Sequence, residues 1–324
     1  MIYTENAINI LTAITFKGIG KAWVVKNLGD SKKKEDIISL LNNNPKQDFE
    51  ITNDLFEEKK YKIINTLHKY NDSIDGLIAI GDKGFPKYRG NVKNSEQPIF
   101  LFYRGNLSLL DINNKNVAVI GLLNPDESIE KIEKEVVTEL VRNGATIVSG
   151  LALGCDTIAH KQAIDSNGKT IAILPSPLSN IMPATNKELA QNIVKNNGLL
   201  ITEYLTDIKS RRELGGRYQE RNRLQALFSD SIILSASYAK NDQGNDSGSR
   251  LAMNYAYTYS IPRAVIYNSE TDLNNPKYDL NRQYINEQKE IVVINQDNLY
   301  DSVRKIISKK STVINKSTQT NLFS

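Results

Sequence analysis

Thirteen consecutive residues, Arg211-Arg212-Glu213-Leu214-Gly215-Gly216-Arg217-Tyr218-Gln219-Glu220-Arg221-Asn222-Arg223, hold five of the chain's twelve arginines and only two acids. A guanidinium group binds phosphate through a planar two-pronged fork, and Tyr218 supplies a face on which a base can stack. The competing reading is an exposed helix start whose charge Glu213 and Glu220 partly neutralise. A binding patch is preferred, because Leu224, Leu227 and Phe228 follow it and would anchor it as an apolar helix.

Two glycine turns offer backbone chemistry of the same kind. Ser149-Gly150-Leu151-Ala152-Leu153-Gly154-Cys155-Asp156 follows an expected strand and precedes a helix holding Ala159, His160 and Ala163. At the carboxyl end of a parallel strand, glycine lets a ligand approach the chain, and the next helix presents unpaired N–H groups to an anion. Such a pair serves packing equally well. Asp246-Ser247-Gly248-Ser249-Arg250 repeats the arrangement at a later helix start, where a plain cap by Ser247 or Ser249 is the simpler reading. Phe16-Lys17-Gly18-Ile19-Gly20-Lys21-Ala22 has the look of a helix-hairpin-helix turn, or of a tight turn used only for packing.

Catalytic constellations are missing. One cysteine and two histidines exclude a disulfide framework and a Cys/His zinc cluster. Cys155 reads as a small turn residue, and His160, among alanines with no reactive partner, as a packed histidine. After the first strand of the main sheet stands Gly121-Leu122-Leu123-Asn124 in place of the dinucleotide fingerprint, which argues against hydride transfer. Ala163 to Thr170 falls short of a phosphate loop, lacks its first glycine and leads into a strand, so it reads as a helix cap. A non-enzyme without cofactor or metal is expected.

The elements that must position these residues follow from periodicity. Up to about Tyr70 the chain is polar and rich in Lys and Asn, with Ile8, Leu11, Ile14 and then Ile37, Ile38, Leu40, Leu41 at helical spacing. From Ile74 short apolar runs, bounded by Gly, Asn or Pro, alternate with helical segments: 77–80, 99–103, 117–121, 146–150, 170–174, 199–203, 232–235, 264–267 and 291–294. Most are apolar on both faces, as central parallel strands must be. The expected fold is α/β, an extended Rossmann-like, doubly wound, mostly parallel sheet preceded by a small helical domain. Its expected limits are 1–72 for the helical domain, 73–297 for the sheet domain and 298–324 for a basic tail with Arg304, Lys305, Lys309, Lys310 and Lys316.

Over 324 residues, 41 Lys+Arg stand against 37 Asp+Glu, a net +4, so any nucleic-acid site is a local patch and not a global charge. No run approaches the roughly 18 apolar residues of a membrane helix, and the start, with Glu5, does not read as a secretion signal. A cytoplasmic protein with no membrane association is expected.

In order along the chain, these pieces resemble the DprA/Smf family of DNA-processing proteins. The resemblance runs through Leu101-Phe102-Tyr103-Arg104-Gly105-Asn106-Leu107, Val117 to Gly121, Ile147 to His160, Gly168 to Leu174, Asn186 to Ala190, Gly198 to Tyr204, Arg221-Asn222-Arg223 and Ser247-Gly248-Ser249, covering about residues 74–268. It implies an extended Rossmann fold, a homodimer, and a basic pocket for single-stranded DNA from which a RecA-like recombinase is loaded in natural transformation and recombination. The nucleic-acid site it implies, together with the arginine cluster, comprises Gly121, Ser149, Gly150, Gly154, Asp156, Lys187, Arg217, Arg221, Asn222, Arg223, Ser247, Gly248, Ser249 and Arg250.

Departures from the family pattern carry their own expectations. Leu122 and Leu123 replace a Gly-Ser-Arg-like turn whose arginine holds a phosphate, so DNA affinity should weaken and its salt slope fall by about one. Cys155 replaces an aliphatic residue, the loop before Ser247 is longer, and no winged-helix domain is expected after the sheet. A nucleotide-binding sensor or hydrolase on the related scaffold is the alternative, with binding favoured over hydrolysis because Ser247 to Arg250 is not a Gly-Gly-x-Gly-Thr loop. A family-derived mobile-element or defence protein with a different protein partner is the third reading.

Overall fold

In a computed structural model, which describes residues 1–240, 248–287 and 290–308, the apolar runs form one ten-stranded sheet. Its strands are β1 (Ile2–Tyr3), β2 (Gly76–Ala79), β3 (Phe100–Gly105), β4 (Asn116–Ile120), β5 (Thr146–Ser149), β6 (Thr170–Ile173), β7 (Leu199–Thr202), β8 (Ser231–Leu234), β9 (Arg263–Ile266) and β10 (Val292–Ile294). They lie in the order β1-β2-β3-β7-β6-β5-β4-β8-β9-β10. From β7 to β10 every pairing is parallel, while β3 runs antiparallel to both its neighbours, β2 and β7. The family-like, doubly wound arrangement expected from the sequence is therefore present. The two-residue β1, paired in parallel with β2, is too short to carry a readable pattern.

The helices are α1 (Glu5–Ala13), α2 (Lys21–Asn27), α3 (Lys34–Asn42), α4 (Asn53–His68), α5 (Glu127–Arg142), α6 (Cys155–Asp165), α7 (Lys187–Lys195), α8 (Arg211–Leu227), α9 (Gly248–Thr258), α10 (Asp279–Glu287) and α11 (Leu299–Ser308). Alternate residues along each central strand go to opposite faces. Val117, Val119 and Ile147 pack with α5, α6 and α11, whereas Ala118, Ile120 and Val148 pack with Leu224 and Leu227 of α8 and Met253 of α9. Each fully buried Val or Ile side chain contributes about 1.5–3 kcal/mol, which is why these strands are apolar on both sides. The α5 helix shows how the local sequence sets its limits. Asp126 caps it by accepting from Ile129 N at 3.1 Å, Glu127 and Glu130 favour its first turn, and Gly144 lets the chain leave in the left-handed region at φ +80°.

The N-terminal helices share the sheet's core. Ile8, Leu11, Phe56 and Leu67 belong to one apolar cluster with Leu77, Phe102 and Leu200 of the sheet and Leu189 of α7. At the other end, the first part of the expected basic tail is instead helix. Leu299, Val303 and Ile306 of α11, at helical spacing, are buried with Val136 and Leu140 of α5. Lys309, Lys310 and Lys316 lie outside the described residues. Among the described residues, no helix is long and apolar enough to cross a membrane.

The amino ends of β4 and β8 are pinned by a fully buried Arg89. It donates from Nε to Asp230 Oδ1 at 2.8 Å, from Nη1 to Phe228 O at 3.1 Å and from Nη2 to Asn114 O at 2.9 Å. Asp230 also accepts from Asn116 N at 2.9 Å.

Candidate functional site

At the opposite, carboxyl end of the sheet a cavity of about 370 Å³ opens over β4, between the first turns of α6 and α9 and the middle of α8. This is where the strand order reverses, with β5 on one side of β4 and β8 on the other, and the crevice at such a point is the usual ligand site of a doubly wound sheet. The turn into α6 depends on Gly154. It sits at φ +70°, and a Cβ there would lie 2.2 Å from Leu122 O.

The anion cradle expected from the glycine turn is already occupied by the chain itself. Asp156 Oδ2 accepts from Gly150 N at 3.1 Å and Ala152 N at 3.3 Å, and Cys155 N donates to Leu122 O at 2.9 Å. Asp156 is nearly buried, and that burial raises its pKa while Arg221 and these N–H groups pull the other way.

The expected convergence of the arginines on this rim is corrected by the structure. The whole cluster is helical: α8 starts at Arg211, where Ser210 accepts from Glu213 N at 3.1 Å, and runs through Gly215 and Gly216. Its side chains then radiate as helical spacing requires. Arg211 and Arg212 are exposed. Arg217 lies over the Tyr204 ring at 4.3 Å and donates to Thr206 O at 2.8 Å and Glu213 Oε1 at 2.6 Å. Arg223 meets both Glu203 oxygens, at 2.6 and 2.7 Å, and donates to Glu96 O at 2.8 Å. Burial works against the Arg223 charge, but Glu203 more than offsets it and holds the group above its ordinary value. Arg217 and Arg223 are therefore neutralised structural groups.

Arg221 alone of the five faces the cavity. It is 4 % exposed, its Nη1 is 4.0 Å from Asp156 Oδ2, its guanidinium carbon is 5.5 Å from the Tyr218 ring centre, and its Nε has no hydrogen-bond partner among the described residues. Burial lowers its pKa and Asp156 opposes that shift. Gly150 makes the space for it, since a Cβ there would fall 1.6 Å from Nη1.

Of the other expected residues, Gly121, Asn222, Gly248 and Ser249 line the cavity as well. Two of them are structural ties: Ser249 Oγ donates to Gly121 O at 2.9 Å, and Asn222 Nδ2 to Gly248 O at 3.0 Å. Ser149 is buried, donates its hydroxyl to Val119 O at 2.7 Å and does not line the cavity. Lys187 stands exposed at the start of α7, next to Asn186, whose amide holds Leu151 O at 2.9 Å. Arg250 is half-buried on the first turn of α9, and Ser247 lies outside the described residues.

His160 is a core residue. Thr170 Oγ1 donates to Ile147 O, so at 2.6 Å it accepts from His160 Nδ1, and burial pulls the imidazole down to about 3. Below the cavity Glu133 is fully buried beside Cys155 and Ser235, and burial pushes it up to about 8.

Sequence reasoning passed over Gln225 and Pro183, which also line the cavity, while Leu153 belongs to the glycine turn already singled out. The signal for Gln225 was available: Tyr218, Arg221 and Gln225 recur at helical spacing on one face. Glu203, which neutralises Arg223, carries no local signal.

Residues 76–304 match the family model described as DNA recombination-mediator protein A. Protein Smf of Borreliella burgdorferi is 29 % identical over 181 residues, 56 % of this chain and 55 % of that protein. The chain spans about half the length of the curated relatives it matches. Among solved structures, DNA processing protein A from Streptococcus pneumoniae has the same fold, with a TM-score of 0.68 at 24 % identity over 92 % of this chain and 98 % of that one. DNA processing protein A from Helicobacter pylori, described with a single-stranded DNA binding mode, aligns with a TM-score of 0.52 at 27 % identity over 69 % of this chain and 99 % of that one.

Proposed function

The chain belongs to the DNA recombination-mediator protein A family, and from that premise we propose that it binds single-stranded DNA at the cavity over β4 and acts as a recombination mediator without chemistry of its own. The observation that carries this reading is Arg221, a buried cation with an unpaired Nε at the strand-order reversal, beside a half-buried tyrosine face. Such a site attracts a polyanionic strand and stacks its bases with little demand on phosphate geometry. The Helicobacter pylori relative, 27 % identical, supports the choice of ligand. The same premise extends the proposal to a homodimer that hands DNA to a RecA-like recombinase.

Titration of labelled oligo-dT at two salt concentrations tests it. Low-salt binding should weaken about thirtyfold in Arg221→Ala, the loss of a hydrogen bond from a charged donor. Arg211→Ala with Arg212→Ala should instead flatten the salt dependence. Absence of low-salt binding, or an unchanged affinity in Arg221→Ala, would overturn the reading. A large thermal shift with a mononucleotide, and none with an oligonucleotide, would replace it with a nucleotide sensor.

A further inference from the structure

A second hollow, of about 500 Å³, lies where α1 and α4 meet β3 and the chain leaving β7. The α4 helix turns Lys59, Lys62, Ile63 and Thr66 toward it, the i, i+3, i+4, i+7 spacing of a single helix face. Ile14, which closes α1, Phe100 of β3 and Leu205 after β7 supply most of the remaining apolar lining. With Ile63 these side chains pack on the core that joins the N-terminal helices to the sheet, yet each stays only half-buried. Apolar surface gathered in a hollow and left uncovered marks a place for a partner.

The charges around the hollow select the partner. Lys59 lies over the Phe16 ring at 4.7 Å, and among the described residues no carboxylate pairs with it. Lys62 pairs only with Glu58 on the exposed face of its own helix, a contact weak enough to be exchanged. Glu203, the one acid in the lining, is already held by Arg223 and Lys21. The rim is therefore positive and the interior aliphatic. Single-stranded DNA is poorly matched, because stacking needs an open ring face and Phe102 is 1 % exposed. We propose that the hollow docks an acidic amphipathic helix of a partner protein, whose apolar side chains enter beside α4 and whose carboxylates meet Lys59 and Lys62. This goes beyond the reading of the cavity over β4 and does not rest on it.

A display library of alanine-based helical peptides, about fifteen residues long and random along one face and its flanks, panned against the full chain tests the proposal. Enriched peptides should carry Leu, Ile or Phe at helical spacing and a net negative charge. Lys59→Glu with Lys62→Glu should weaken the purified peptides about tenfold, while oligo-dT affinity stays unchanged. Thr66→Arg, which places a long side chain in the hollow and removes no apolar contact, should block them as well, and a thermal melt of each variant checks the fold. Recovery of no peptide above the unselected library, recovery of basic peptides, or binding that survives both variants would overturn the proposal and leave the single-strand reading standing. Weaker oligo-dT binding in the charge-reversed chain would assign the hollow to the strand, and an altered oligomeric state would assign it to a second copy; either would overturn it too.

Discussion

Arg89 and Arg221 are two buried arginines at opposite ends of one sheet, and they differ in how completely their donors are paired. Arg89 reaches an aspartate and two main-chain carbonyls through three of its nitrogens, all within 3.1 Å. Among the described residues, Arg221 has a carboxylate no nearer than 4.0 Å and an Nε with no partner. Burying a guanidinium is costly unless its donors are satisfied, so a complete set of partners marks a structural pin and an incomplete set marks a place kept for something else. The contrast also holds within α8, where Arg217 and Arg223 pair with glutamates and carbonyls while Arg221, on another face of the same helix, does not.

Removing the pin should have the largest effect. Arg89→Ala takes the cation from Asp230 and the side-chain donor from Asn114 O, leaving Phe228 O with Asn116 Nδ2 alone, and should cost about 3–5 kcal/mol, lowering Tm by roughly ten degrees. A thermal melt that moves by less than two or three degrees would remove the distinction between the two arginines. Gly150→Ala probes the other end. Its Cβ must displace the Arg221 guanidinium, so DNA affinity should fall about tenfold while Tm changes little, as paired titrations and melts would show. Unaltered binding with the fold intact would mean that the position of Arg221 does not matter.

A third test sharpens the comparison through pH. Glu133 beneath the cavity has no cation comparable to the one Asp230 has, and burial raises it from 4.5 to about 8. Because its folded value exceeds its unfolded one, the stability it contributes is complete below about 4.5 and is lost as pH rises through 8. Gln cannot ionise, so Tm of Glu133→Gln relative to the unsubstituted chain should rise by several degrees between pH 5 and pH 9. A difference that stays flat over this range would show that Glu133 is not held protonated.

Much of the scaffold was legible because parallel strands buried on both faces are apolar runs bounded by Gly and Pro; the run at 117–121 became β4 and that at 232–235 became β8. The glycine turns were legible as backbone devices for the same local reason. Pairing was not, because it is settled by residues remote in the chain: Arg223 by a glutamate 20 positions away and Arg89 by an aspartate 141 positions away. Composition marked the arginine cluster as one positive patch, whereas a helix distributes residues 217, 221 and 223 among different surroundings. The start of α8 at Arg211 was not legible either, since Gly215 and Gly216 suggest a break that the capped first turn overrides.

The reversed direction of β3 has a consequence for anyone dissecting the molecule. It covers one flank of β7, donating and accepting main-chain hydrogen bonds that no other strand is placed to supply. A truncated product beginning after residue 105 would therefore expose a bare ladder along residues 199–202, the kind of edge on which polypeptides associate end to end and precipitate. The shortest soluble fragment that carries the cavity has to keep that strand, however dispensable the helices ahead of it prove to be.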